Sequence, residues 1–277
     1  MSSLNLKTDI YQKLIVLHRL KNSPGPYDWL SVYPEEGQTF DQFVLSQPSR
    51  LDDKKKYIYI TMLGEFDKTK AEIIEKTAKF IEAYFGLEVK FADSVDLSII
   101  PKEAQRIHPL TFDKQILTSF VIESVLKPNM PKDAFCFIAF TSSDLWPGEG
   151  WNFVFGQASW EDRVGVWSIY RNGDPNRSQE EYRLCLKRTI KTGTHEIAHM
   201  FSLHHCIFYE CNMNGSNHRI ENDQRPLWLC PVCLKKLCWL LDLDPQKRYN
   251  NLKRISLSYG FQEDASFYQQ SIQILEK

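Results

Sequence analysis

Residues 57–91 read YIYITMLGEFDKTKAEIIEKTAKFIEAYFGLEVKF, and this stretch decides the fold. Tyr57–Leu63 is β-branched and aromatic and stops at Gly64, the composition of a buried strand. Residues 68–85 then set Ile73, Ile74, Ala78, Ile81 and Tyr84 at helical spacing. Leu87–Phe91 alternates as a second strand does. Strands that alternate with helices point to a mostly parallel sheet covered by helices.

The same logic extends downstream. A second amphipathic helix is expected over 112–127. Phe135–Thr141 is a near-continuous apolar run, which suits a central strand. Two strands follow closely, Trp151–Phe155 and Val164–Tyr170, separated by Gly156 and a turn at Asp162. So short a link makes one of them antiparallel, and we place that edge strand at Trp151–Phe155. Ser178-Gln-Glu-Glu181 has the form of a capping box and opens a long helix with Tyr182, Leu186, Ile190, Ile197 and Phe201 on its apolar face. Gly193 sits inside that helix, at a cost of ~1 kcal/mol against alanine. Upstream, a helix is expected at about 5–21. The turn-rich Asn22-Ser-Pro-Gly-Pro-Tyr27, Pro34 and Pro48 follow it. Residues 1–50 therefore read as an N-terminal appendage and 51–277 as the main domain, with short helices over 231–277.

The chain has 277 residues, 43% of them apolar and 13% aromatic, enough for a sizeable core. A net charge of -1 gives no electrostatic reason to expect nucleic acid or an anionic membrane. The only apolar run near the N-terminus, Leu14–Leu17, is too short for a secretory signal, and no stretch is long enough to span a membrane. The expectation is a monomeric intracellular protein of the cytoplasm, with the nucleus also open to it. Of the seven cysteines, five lie between 206 and 238. In a reducing compartment such a cluster reads as metal ligands rather than disulfides.

The chemistry centres on His195-Glu-Ile-Ala-His199-Met-Phe-Ser-Leu-His-His205. Positions i and i+4 share one helix face, so His195 and His199 can both direct a ring nitrogen at one zinc ion. Glu196 sits beside that metal, placed to take a proton from water. A catalytic zinc needs a third protein ligand and one open position. His205 supplies the ligand if the helix breaks near Ser202; the adjacent His204 is a competing candidate. Cys206, Cys211, Cys230 and Cys233 form two close thiolate pairs, the pattern of a closed structural zinc site. Cys136, Cys185 and Cys238 read as small core residues, and His18, His108 and His218 as structural or surface histidines.

These residues resemble the archaemetzincin family of the metzincin clan, whose motif is H-E-x-x-H-x-x-G-x-x-H followed by a methionine turn. The family's cysteine directly after the third histidine, second cysteine, methionine two residues on and late C-x-x-C match Cys206, Cys211, Met213 and Cys230-Pro-Val-Cys233. Asp133–Cys136, Trp151–Ala158, Asn212–Asn217 and Arg225-Pro226 also match. The resemblance implies a metzincin-like fold: a mostly parallel twisted sheet with an antiparallel edge strand, flanked by helices. To this it adds a small zinc-bound subdomain over 206–243 and C-terminal helices over 244–277. It implies Met213 as the methionine-turn residue under the zinc. Ser202 stands where the family carries glycine, which would cost ~1 kcal/mol of strain if the same left-handed turn is kept.

The function expected is a zinc metallopeptidase, an aminopeptidase or oligopeptidase, with two zinc ions and Glu196 as general base. Substrate would lie extended along the edge strand. Two alternatives stay open. One is a catalytically degenerate zinc protein that acts as an interaction module, which Ser202 keeps in view. The other is a zinc-ribbon nucleic-acid module at 206–238, for which no basic stripe is present.

Overall fold

The computed structural model describes residues 10–48 and 50–277. It divides into two compact units. The first is Leu51–Glu82 with Leu87–Met200; the second is Ala83–Gly86 and Phe201–Lys277 with the described residues up to Arg50.

The first unit holds the sheet expected from residues 57–91. Strands β1 (Tyr57–Leu63), β2 (Val89–Phe91), β5 (Ala134–Thr141), β7 (Gly156–Ser159) and β8 (Val164–Ser168) run in the order β2-β1-β5-β8-β7. All neighbours are parallel except β7, which pairs antiparallel with β8 at the edge. The crossover from β1 to β2 is helix α1 (Lys68–Phe85), whose Ile73, Ile74, Ala78 and Ile81 are buried as its periodicity requires. Strand β5 is buried at every residue, the signature of a strand covered on both faces. Its odd positions Phe137 and Ala139 pack with Val121, Ile122, Val125, Val164 and Val166. On the other face, Phe140 lies under helix α2 (Gln179–Met200) at Gly193. Ser178 caps α2 by accepting the Glu181 backbone N–H at 3.1 Å.

Three expectations need correction. The helix expected over 112–127 begins only at Thr118, and it changes winding to π over Val121–Leu126. Residues Lys114–Leu117 are instead strand β4, paired with β3 (Gln105–Ile107) and β6 (Asp144–Trp146) in a second, three-stranded sheet. A four-residue strand running straight into a helix shows too few residues to reveal a period of two. The edge strand is Gly156–Ser159, not Trp151–Phe155. Residues 151–155 are held out of a regular ladder by side chains. Arg106 Nη2 donates to the carbonyls of Trp151 (2.8 Å) and Asn152 (2.9 Å), and Gln115 Nε2 also donates to that of Asn152 (2.9 Å). Arg171 in turn grips the buried Asp144 carboxylate with Nε and Nη2 at 2.8 and 2.7 Å. Finally, of the helix expected at 5–21, residues 5–9 lie outside the described residues. Ile10–Leu17 is helical, and Leu20 already bridges to Tyr209 as extended chain.

The second unit is built on helices α3 (Pro231–Leu241), α4 (Pro245–Tyr259) and α5 (Gln262–Leu275). Short helical turns at Trp29–Val32 and Phe40–Leu45 belong to the same unit. The last turn of α1 does too: the Arg248 guanidinium donates to the Tyr84 carbonyl at 2.8 Å, and Phe85 stacks on Phe201. No described helix is long and apolar enough to cross a membrane.

Candidate metal centres and family

Helix α2 brings His195 and His199 together. Both are buried, their rings stand at 89° with centroids 4.6 Å apart, and their Nε2 atoms are 3.1 Å apart. Two imidazole nitrogens meeting at one point suit a single cation at ~2.0–2.1 Å from each. Glu196, between them in sequence, stays partly exposed. The turn joining β7 to β8 reaches the same histidines. The Trp160 indole stacks on His199 with centroids 4.7 Å apart and planes 13° apart. The edge strand thus runs directly into a ring that covers a histidine of the metal-binding pair.

In the second unit, the chain leaves Phe201 through Ser202, whose φ of +67° is left-handed. The expected turn is therefore kept although serine carries a Cβ. Its surroundings over-determine it. Gln38 Nε2 donates to the Ser202 carbonyl (3.3 Å), and Gln38 Oε1 accepts from the His204 backbone N–H (3.3 Å). The buried Lys236 ammonium donates to Gln38 Oε1 (3.1 Å) and also to the Gln38 carbonyl. His204 is exposed, while His205 is mostly buried, with Nδ1 against the Glu35 carboxylate at 2.8 and 3.1 Å.

The four cysteines converge within this unit. The sulfurs of Cys206, Cys211, Cys230 and Cys233 all lie within 4.8 Å of one another, and Cys206 and Cys230 are 3.6 Å apart. Tetrahedral zinc with Zn–S of ~2.3 Å needs sulfurs ~3.8 Å apart, so the donor set fits the ion. The backbone N–H groups of Met213 (3.4 Å) and Cys230 (3.2 Å) donate to Cys211 Sγ. Cys230 caps α3, whose N-terminal dipole favours negative charge. Hydrogen bonds from the other three pull Cys206 down, while burial pushes Cys230 up and hydrogen bonds with the neighbouring thiols push Cys233 up. A divalent ion would hold all four as thiolates. Cys136, pushed up to about 12 by burial, behaves as the small apolar residue expected.

The loop between the cysteines is closed by its own side chains. The Cys206 N–H donates to the Met213 carbonyl at 2.7 Å. Asn214 Nδ2 donates to the Cys206 carbonyl at 2.7 Å, and Asn214 Oδ1 accepts from the Cys211 N–H at 2.9 Å. Met213 is fully buried. A further group, Asp28, His218 and Glu221, also lies close together. Here protein donors already occupy the candidate ligand atoms. His218 Nδ1 accepts from the Glu221 N–H (3.3 Å), which leaves Nε2 to donate to Asp28 (3.0 Å), and the Glu221 oxygens accept from the Trp29 N–H (3.1 and 3.0 Å). This group is a polar clamp between 28–29 and 218–221.

Nothing in the sequence marks Glu35, Trp29, Gln38 or Trp160. Each is a single residue in no motif, and only folding brings it to the histidines it touches.

Two histidines one turn apart with glutamate between them, laid against a mostly parallel sheet, are the arrangement of a zinc metallopeptidase. Residues 53–238 match the model of peptidase family M54. Archaemetzincin-2 of Homo sapiens is 37% identical over 262 residues, covering 83% of this chain and 72% of that protein. Archaemetzincin-1 of Homo sapiens is 30% identical over 258 residues, covering 82% of this chain and 51% of that protein. The crystal structure of archaemetzincin from Methanopyrus kandleri is similar at a TM-score of 0.54 and 27% identity, covering 68% of this chain and 97% of that one. The chain belongs to peptidase family M54, the archaemetzincin family of zinc-dependent metallopeptidases.

Proposed function

We propose that this protein hydrolyses peptide bonds, with His195, His199 and His205 as the ligands of a catalytic zinc and Glu196 as general base. The reading rests above all on the buried His195–His199 pair, 3.1 Å between Nε2 atoms, on the helix that also carries a partly exposed Glu196. A zinc ion held there supplies a Lewis acid that polarises the scissile carbonyl and acidifies water towards a pKa of ~7. Glu196 takes the proton of the attacking water and passes it to the leaving amine. His205 is favoured over His204 as third ligand because it has the motif offset, follows the left-handed turn at Ser202 and is the less exposed of the two.

The four-cysteine zinc is structural in this reading. It ties Cys206, next to His205, to the loop of Met213, the residue that matches the methionine turn of the family motif. An extended peptide adds beside β7 (Gly156–Ser159) by strand pairing. So short an edge favours small substrates, which supports an aminopeptidase or oligopeptidase. Seven cysteines without a disulfide support a reducing compartment, the cytoplasm or nucleus. The metzincin clan assignment follows from the same motif. The test compares wild type and Glu196→Ala on a peptide mixture. Wild-type cleavage that falls at least ~100-fold in the variant is expected; equal turnover by both would overturn the reading.

A further inference from the structure

Resting on His205 as third ligand, we propose that Glu35 is its positioning residue, and that the strap 28–39 is an integral part of the catalytic metal centre. The carboxylate meets His205 Nδ1 with both oxygens, at 2.8 and 3.1 Å. A carboxylate only accepts, so Nδ1 must carry the proton and Nε2 is the nitrogen left with a lone pair for a metal. A histidine ligand oriented by a carboxylate in this way is held in one tautomer and one ring orientation.

Glu35 is itself held. The Trp29 indole N–H donates to Glu35 Oε1 at 2.9 Å, and the same ring stands edge-on to His205, 5.1 Å between centroids at 74°. Trp29 therefore fixes both members of the pair. Its own position is fixed from below. Its backbone N–H bonds the Glu221 carboxylate, and its indole lies so close over Gly215 that a Cβ there would sit 2.3 Å from Trp29 Cδ1. Gly215 is thus the residue that lets the indole approach. Three residues beyond Glu35, Gln38 holds both ends of the Ser202 turn. One strap so supports the ligand's tautomer, its ring orientation and the backbone turn that delivers it. This assigns a role in the metal centre to residues that read in sequence as an appendage.

The experiment measures zinc content and zinc affinity by chelator competition for the full chain as wild type, Glu35→Ala, Glu35→Gln, Trp29→Phe and His205→Ala. Wild type should hold two zinc ions, the more easily stripped one at the histidines. Glu35→Ala should weaken only that one, by about 10–100-fold, with the cysteine-bound zinc retained as an internal control for folding. Glu35→Gln keeps an acceptor oxygen without the charge and should lose less; being isosteric, it decides the matter if Glu35→Ala does not fold. Trp29→Phe should show a smaller loss of the same kind. Nitrogen-15 NMR of labelled histidine should report a hydrogen-bonded Nδ1–H in wild type that disappears in Glu35→Ala. Unchanged histidine-site affinity in both Glu35 variants, with loss in His205→Ala, would overturn this proposal while leaving the ligand set standing. If His205→Ala also kept the zinc, the ligand reading itself would fall, and the positioning role with it.

Discussion

Trp160 stacks face to face on His199, 4.7 Å between centroids, from the turn that closes the edge hairpin. An imidazole packed on one face by an indole has its rotation about the Cβ–Cγ bond restricted. The pair couples the strand proposed to receive substrate to a ligand proposed to hold the metal. Such ring pairs contribute ~0.5–1.5 kcal/mol, so Trp160→Ala should weaken histidine-site zinc by about 2- to 10-fold, and Trp160→Phe by less. Chelator competition checks this; equal zinc affinity in all three proteins would remove the coupling.

Ser202 occupies a left-handed conformation at φ +67°. Removing its Cβ relieves ~1 kcal/mol or more, partly offset by the extra freedom glycine has in the unfolded chain. Ser202→Gly should therefore raise stability by about 0.5–1 kcal/mol and keep both zinc ions. Ser202→Val should lower stability. Denaturant midpoints of the three proteins give the order directly.

A methyl group added at Gly193 would lie 3.4 Å from Phe140 Cζ, 3.5 Å from Ile81 Cδ1 and 3.7 Å from Thr77 Cγ2. That space takes one methyl group and no more. Gly193→Ala should stabilise the protein by about 0.5–1 kcal/mol through helix propensity. Gly193→Leu should destabilise it by overpacking, by ~1–3 kcal/mol. Urea unfolding of both variants measures the two signs.

Loss of one cysteine ligand leaves three buried thiols without a balanced site. Cys233→Ser should retain at most one zinc per chain. Structural zinc carries much of a small subdomain's folding free energy, so the melting temperature should fall by about 10 °C or more. Metal analysis and calorimetry of the purified variant test it. An unchanged zinc count would show that the four sulfurs are not a metal site.

His18 lies edge-on to Phe267 and Tyr209, and neither ring nitrogen has a hydrogen-bond partner among the described residues. Burial lowers its pKa from 6.5 to about 4. Between those values the unfolded chain binds a proton that the folded chain does not, so stability is full above pH ~6.5 and is lost as pH falls towards ~4. The full loss amounts to roughly 3 kcal/mol, about two and a half pKa units at ~1.36 kcal/mol each. His18→Phe should flatten this part of the stability curve relative to wild type. Parallel curves for the two proteins between pH 4 and 6.5 would refute it.

The features legible in the sequence are those whose period or spacing is local. Residues 57–91 spelled out strand, helix and strand: Tyr57–Leu63 and Lys68–Phe85 are long enough to show their periods, and the alternation of Leu87–Phe91 extends beyond the three residues that pair as β2. The i, i+4 spacing of His195 and His199 was enough to place both on one helix face. The four cysteines announced themselves by pairing in sequence. Failures came where local pattern is short or is overridden. Lys114–Leu117 is too brief to show alternation and flows into a helix. Trp151–Phe155 has strand composition, but Arg106 and Gln115 claim its carbonyls and the ladder forms one step later, at Gly156–Ser159.

Local pattern was therefore sufficient for the parallel α/β core, the histidine pair with its glutamate and the cysteine set. In each of these the partners are tied by helix or strand geometry, or by a spacing too regular for chance. Three features emerge only on folding: Ser202 keeps a glycine's turn, Glu35 and Trp29 hold His205, and Trp160 lies on His199. Those pairs are separated by tens to nearly two hundred residues, and no local rule relates them. They meet because long-range packing brings their segments together, and hydrogen bonds of fixed geometry then select one arrangement.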